Sequence, residues 1–253
     1  MRMDIATLFT AMCETVLDES IIGRARRAGL LEIHCHDIRD YANNKQNRVD
    51  DSPYGGGKGM LMQAPPIYAC WEDICRRSGS RPHVIYLSPQ GRVFSQQRAV
   101  ELSKMDHILL LCGHYEGVDE RVIEEIVDEE LSVGDYVLTG GELAALTVAD
   151  AVGRLCPGVL PEEVCFTEDS LWDGLLEYPQ YTRPPVWRDR EVPQVLQSGH
   201  HQNIELWRRR KSLENTFCKR PDLLAKAPLA DEDRKYLASF AANRAGEEGE
   251  TEK

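Results

Sequence analysis

Short apolar runs that stop at glycine- or proline-bearing loops set the rhythm of the amino-terminal half of the chain. Asp4–Phe9 reads as a strand, and Ile21–Ala28 as a helix ending near Gly29. Leu31–His36 alternates like a half-buried strand, residues 50–59 (DDSPYGGGKG) form a loop, and Pro66–Arg77 has helical spacing. One design then occurs three times, a buried strand running into a loop. His83–Leu87 leads into Ser88-Pro89-Gln90-Gly91, His107–Leu111 into Cys112-Gly113-His114-Tyr115-Glu116-Gly117, and Tyr136–Leu138 into Thr139-Gly140-Gly141-Glu142. Helices follow at Gln96–Ser103, Asp119–Val127 and Glu142–Arg154. Strands this continuously apolar, alternating with helices, predict an α/β fold with a mostly parallel sheet covered on both faces. Ligands of such sheets sit beyond the carboxyl ends of the strands, where the three loops gather.

The periodicity fades after Cys156. The pattern predicts a main domain over 1–157, with the loops that would hold a cofactor, a flexible linker over 158–173, a small helical domain over 174–243 and a disordered acidic tail over 244–253. Within the second domain, 178–185 reads as extended, and 204–211, 213–219 and 231–242 as helical. No leader-like apolar stretch follows Met1 and no run is long enough for a bilayer, so a cytoplasmic location without membrane association is expected. The eight cysteines contain no Cys-x-x-Cys pair, which argues against a disulfide framework and against zinc. His34-Cys35-His36 accordingly reads as a strand edge, and no residue is assigned to a metal. Net charge is −12 over 253 residues, yet residues 173–228 hold ten Lys or Arg against seven Asp or Glu. That local excess keeps RNA open as a partner of the carboxy-terminal part, although a bland surface has the same balance.

Gly55-Gly56-Gly57-Lys58-Gly59 lacks the spacing of a P-loop, and no loop after a strand reads G-x-G-x-x-G. The glycines suit a sharp turn or the close approach of backbone to an adenine or ribose.

Five ordered motifs resemble one family. Residues 86–91 (YLSPQG), 113–121 (GHYEGVDER) and 132–142 (SVGDYVLTGGE) look like the three cofactor loops of the bacterial tRNA (guanine-N1)-methyltransferases of the TrmD family. Residues 50–57 resemble its amino-terminal loop, and 198–208 with 220–224 its carboxy-terminal domain. The resemblance implies a SPOUT-type sheet threaded as a deep trefoil knot, a threading that ordinary folds avoid. It also implies a homodimer and a bent S-adenosylmethionine held by Tyr86, Leu87, Ser88, Pro89, Gly91, Gly113, Tyr115, Ser132, Val133, Gly134, Tyr136, Leu138, Gly140 and Gly141. The implied substrate is the anticodon stem-loop of tRNA, methylated on N1 of guanosine 37, just 3′ of the anticodon. The family is associated with Mg²⁺, for which this sequence offers no site.

Guanine N1 carries a proton at neutral pH. A base must remove it, and a cation or donor must stabilise the charge that spreads to O6. Asp169, in Thr167-Glu168-Asp169-Ser170, matches the family's catalytic aspartate, Arg154 its activating arginine and Glu116 an acid near the methyl donor. Each has a plainer reading in isolation: a solvated carboxylate, a cation at a helix end, and a surface pair of Glu116 with Arg121. Trp207-Arg208-Arg209-Arg210-Lys211 offers cations for phosphates, or else a solvated helix face with Trp207 in the core. Two rivals remain: a related SPOUT enzyme acting on another atom or RNA, and a non-catalytic RNA-binding protein that senses an adenosyl ligand.

Overall fold

All six residues of the strand His107–Cys112 are buried, and the sheet is built outward from it. The computed structural model describes residues 1–162 and 164–251, with side chains as far as 244. The chain divides into two compact units, 1–162 and 163–253.

In the first unit, β1 (Arg2–Thr7), α1 (Thr10–Leu17), α2 (Ser20–Arg27) and β2 (Glu32–Asp37) precede a 3₁₀ turn at Ile38–Tyr41. A short antiparallel pair, β3 (Asp50–Asp51) and β4 (Leu61–Met62), flanks the glycine-rich loop. Then come α3 (Ala64–Ser78), β5 (His83–Val93), α4 (Gln96–Leu102), β6 (His107–Cys112), α5 (Glu120–Ile126), β7 (Glu129–Ser132) and α6 (Glu142–Gly153). The five long strands pair in the order β2-β1-β6-β5-β7, every pair parallel. Leu109, Leu111, Val84 and Ala6 pack on one face with Ile67, Ile74, Val122 and Ile126 of α3 and α5. Met3, Ile5, Ile85, Ile108 and Leu110 are fully buried between them in sequence, as the two-residue period of a strand requires. Local chemistry sets the helix ends. Ser95 accepts from the Arg98 N–H at 3.3 Å and starts α4, while Gly79, left-handed at φ +71°, stops α3 and donates to the Cys75 carbonyl.

Within the sheet and its helices the structure corrects the sequence reading in several places. The third strand is β7, not Tyr136–Leu138, which lies in an exposed loop. β5 does not stop at Leu87: it continues to Val93 across a bulge between Leu87 and Arg92. α1 was not anticipated, because its N-cap is Phe9 and no side chain caps it. One helix, His201–Lys219, replaces the two expected over 204–219.

The second unit contains α7 (Val164–Thr167), a hairpin of β8 (Val186–Trp187) and β9 (Arg190–Glu191), α8 (Gln194–Gln197), α9 (His201–Lys219), α10 (Pro221–Leu224) and α11 (Asp231–Thr251). Leu175, Leu213, Ala227 and Leu237 form its small core. α11 runs on into the stretch expected as a tail, whose last residues, 252–253, lie outside the described residues.

Candidate active site

The loops that follow β5, β6 and β7 close on one cavity of about 350 Å³. Its wall is mostly backbone because glycines leave no room for anything else. A Cβ on Gly141 would lie 2.8 Å from the Cys112 Cα, and one on Gly113 2.8 Å from the Tyr86 hydroxyl. At Gly140 it would collide with Glu142 and His114, and at Gly134 with the Tyr136 ring. The loops are stitched together by backbone: the Gly141 N–H donates to the Gly113 carbonyl at 2.8 Å, and His114 and Gly140 form an isolated antiparallel bridge. Ser132 supplies a further turn lock, its hydroxyl donating to the Gly134 carbonyl at 3.1 Å.

Thirteen of the fourteen residues expected to hold a cofactor line this cavity. Gly91 does not; it sits in the bulge of β5, where a Cβ would meet the Glu130 backbone, so its smallness serves strand packing. Leu87, Leu131, Leu138 and Ala144 give the cavity apolar surface, and Tyr115 and Tyr136 are exposed at the same wall. Burial first, then Glu130 and Glu120, push the Tyr86 phenol up to about 12, so that hydroxyl stays protonated. His114, Val137 and Thr139 also line the cavity without having been singled out. They stand inside the quoted motifs, so the signal was present; side-chain type alone did not single them out.

Glu116 lies in the cavity wall, against Gly59 of the glycine-rich loop. Its amide donates to the Met60 carbonyl at 3.0 Å. The alternative of a Glu116–Arg121 pair fails, since Arg121 bonds Asp119 at 2.9 and 2.6 Å. Beneath the loops, Glu142 is buried at the first turn of α6 and accepts from the Thr7 hydroxyl at 2.8 Å. His114 Nδ1 stands 3.9 Å from the other oxygen of Glu142.

Arg154 caps the carboxyl end of α6 in the first unit. Asp169 belongs to the second unit, half-buried in a turn where the Trp172 N–H donates to its carbonyl at 3.3 Å. It shares a cleft with Glu168, Asp173, Tyr178, Arg208 and Arg209. The cations expected to meet RNA are already engaged. Arg208 bonds Glu205 at 3.1 Å and lies 4.8 Å from the Tyr178 ring centroid, and Lys211 bonds Glu214. Arg209 bridges Asp173 and Asp233 at 2.7 and 2.8 Å, and Arg210 lies over Tyr236. Trp207 is half-buried, 6.3 Å from the Tyr181 ring. His34 and His36 are bonded to Glu32 and Asp4 at 2.8 and 2.6 Å.

Known proteins resemble this chain along most of its length. The family model described as tRNA (Guanine-1)-methyltransferase TrmD matches residues 1–226. Among curated proteins, a tRNA (guanine-N(1)-)-methyltransferase of Ruminiclostridium cellulolyticum is 54% identical over 228 residues, 90% of this chain and 98% of the relative. The Moorella thermoacetica protein of that name is 52% identical over 98% of this chain and 99% of its own length. One from Staphylococcus aureus is 51% identical over 95% and 97%. The chain is a member of the TrmD family of tRNA (guanine-1)-methyltransferases.

Proposed function

We propose that the protein transfers a methyl group from S-adenosylmethionine to N1 of guanosine 37 in tRNA. The observation that carries this reading is the backbone-walled cavity formed by the loops after β5, β6 and β7. Its glycines let main-chain donors and acceptors reach an adenosyl group, and its apolar residues suit the adenine ring. S-adenosylmethionine supplies an electrophilic methyl on a sulfonium when bound.

The remaining chemistry belongs to the chain. The Asp169 carboxylate accepts the N1 proton, and the nitrogen lone pair forms the new N–C bond as the sulfonium C–S bond breaks. The electron pair leaves on a neutral thioether. Arg154 stabilises the negative charge on O6 while the proton departs, and Glu116 orders the methyl end of the cavity. Transfer needs in-line placement more than covalent help. The target guanine leaves its stack to enter, because N1 is inaccessible in a paired base.

The proposal extends to architecture. The bulged β5, which pairs with β7 on both sides of residues 88–91, and the stitch from Gly141 to Gly113 support a trefoil-knotted sheet. Exposed Met12 and Val16 on α1 and Leu143 on α6 form apolar surface that a second copy would cover, which supports the homodimer. Residues 158–173 serve as a linker, and the 174–243 domain binds the anticodon stem-loop. A tRNA substrate places the enzyme in the cytoplasm. Mg²⁺, if used, enters without a site assigned to it.

The test is methyl transfer from labelled S-adenosylmethionine to tRNA transcripts with guanine or adenine 3′ of the anticodon, followed by nucleoside analysis. N1-methylguanine on the guanine transcript alone, reduced at least 100-fold by Asp169→Ala, is expected. Full activity of Asp169→Ala would remove the assigned base, and binding of the cofactor without any turnover would favour the adenosyl-sensor alternative.

A further inference from the structure

Residues 181–190 are exposed without a break, and they hold chemistry that methyl transfer does not use. β8 and β9 pair Val186 with Glu191 and Trp187 with Arg190 around a two-residue turn. Both turn residues, Arg188 and Asp189, have left-handed backbones at φ +48° and +61°. A tight hairpin needs that pair of conformations, but an arginine adopts it at a cost of order 1 kcal/mol relative to glycine. Held outliers of this kind cluster where a side chain has to be presented.

What the turn presents is an aromatic ring with a cation on it. Trp187 is 59% exposed, and the Arg188 guanidinium carbon lies 4.9 Å from its ring centroid. The hairpin is short, so no core needs that indole, and a large apolar ring left in water is unfavourable without a partner. Arg190 is its cross-strand partner, and Arg183 lies in the same exposed stretch. Among the described residues no carboxylate pairs with Arg183, Arg188 or Arg190, whereas Arg208, Arg209 and Lys211 of α9 are all committed to neighbouring acids. Tyr181, at the start of the same exposed stretch, continues the aromatic surface toward Trp207. Aromatic rings and guanidinium planes interleaved with unpaired cations are the surface on which unstacked bases and their phosphates are held.

We propose that the β8–β9 hairpin is an RNA-contact arm. Trp187 and Arg188 stack on an unpaired base of the bound tRNA, and Arg183 and Arg190 face its phosphates. The proposal rests on the tRNA reading above and shifts the phosphate-binding role from α9 to the hairpin.

The experiment uses the full-length protein as wild type, Trp187→Ala, Trp187→Phe and the double variant Arg183→Ala/Arg190→Ala. The tRNA Kd is measured across a salt series, together with kcat and KM for methyl transfer. Loss of one stacked base raises Kd and KM roughly tenfold in Trp187→Ala, with the loss falling on KM rather than kcat. Trp187→Phe keeps a ring and stays near wild type. The double variant flattens the slope of log K against log salt by about 1.4, two contacts at ~0.7 each for single strands. Calorimetric binding of S-adenosylhomocysteine and the thermal midpoint, both unchanged, separate this from misfolding. Wild-type Kd and slope in Trp187→Ala and in the double variant, while the wild type methylates tRNA, overturn the hairpin and leave the tRNA reading standing. The same result with a shifted monomer–dimer equilibrium in sedimentation assigns the hairpin to a contact between copies and likewise overturns it. A wild type that does not bind tRNA removes both readings.

Discussion

Asp4 has no exposed surface, yet among the described residues of the first unit its carboxylate accepts the most side-chain hydrogen bonds. His36 and His107 reach it through Nε2 at 2.6 Å each, and Arg2 through Nε at 2.8 Å. Burial alone would raise its pKa, but the bonds from His36, Arg2 and His107 together hold it far below the ordinary carboxylate range. A carboxyl depressed on folding contributes stability that is complete above its unfolded pKa of about 4 and is lost as pH falls below that. Asp4→Asn should therefore destabilise the protein by about 3 kcal/mol at neutral pH, since it removes the buried carboxylate that the Arg2 guanidinium and both imidazoles share. The gap between variant and wild type should close between roughly pH 5 and pH 2, as followed by urea titration at a series of pH values. A gap that stays constant with pH would show that Asp4 acts through packing rather than charge. Gly141 tests the cavity wall at the same scale. Its Cβ would stand 2.8 Å from the Cys112 Cα and 3.1 Å from the Gly113 nitrogen, and neither is a side chain that can move aside. Gly141→Ala should cost about 1–3 kcal/mol of stability and weaken S-adenosylhomocysteine binding in calorimetry, the loops having to separate to admit the methyl group.

Among the elements, α9 contradicts its own composition. Trp207-Arg208-Arg209-Arg210-Lys211 reads as a basic face, but Arg209 ties Asp173 and the buried Asp233 to the helix, and its fork holds Asp233 below the usual carboxylate range. Leu176 and Glu177, a few residues past Asp169, are fixed to the same helix by Thr216 and Asn215 at 2.9 Å each. Arg209→Leu is expected to lower the stability of the second unit by about 2 kcal/mol, a figure discounted for the exposure of the guanidinium. The salt dependence of tRNA binding should be unchanged, so a slope flattened in this variant would restore Arg209 as a phosphate contact. The limits of reading sequence appear here in physical form. Charge type identifies cations but not their partners, which come from Asp173 and Asp233, 36 and 24 residues away. β7 was missed for the same reason. Glu129 and Glu130 conceal a strand from any hydrophobic pattern, and Glu129 is accommodated because His83 bonds it at 2.9 Å and Arg98 at 3.1 Å. The apolar Tyr136–Leu138 run misled in the opposite direction: it lines a cavity, with Val137 85% exposed. The parallel sheet, by contrast, was legible from β5 and β6, whose apolar runs have no such disguise. Loop positions around the cavity were legible only through their resemblance to a family, because glycines at a turn do not state what they approach.

At the scale of the whole molecule, the chain keeps its chemistry in two separately cored units. The cavity, Glu116 and Arg154 belong to the first, and Asp169 and the exposed hairpin to the second. Charge does not follow that division: the excess of cations over residues 173–228 is offset within the second unit by the acids on either side of it, so both units are net acidic. Two compact units, each with a core cluster of its own, need not melt together. Scanning calorimetry of the full-length protein should resolve two transitions that respond to different perturbations. S-adenosylhomocysteine at a hundredfold excess over its Kd adds about 2.7 kcal/mol to whichever unit holds the cavity, so one midpoint should rise while the other stays. Asp4→Asn should lower that same midpoint, and Arg209→Leu the other. One transition moved alike by ligand and by both substitutions would mean that the units fold as a single cooperative body.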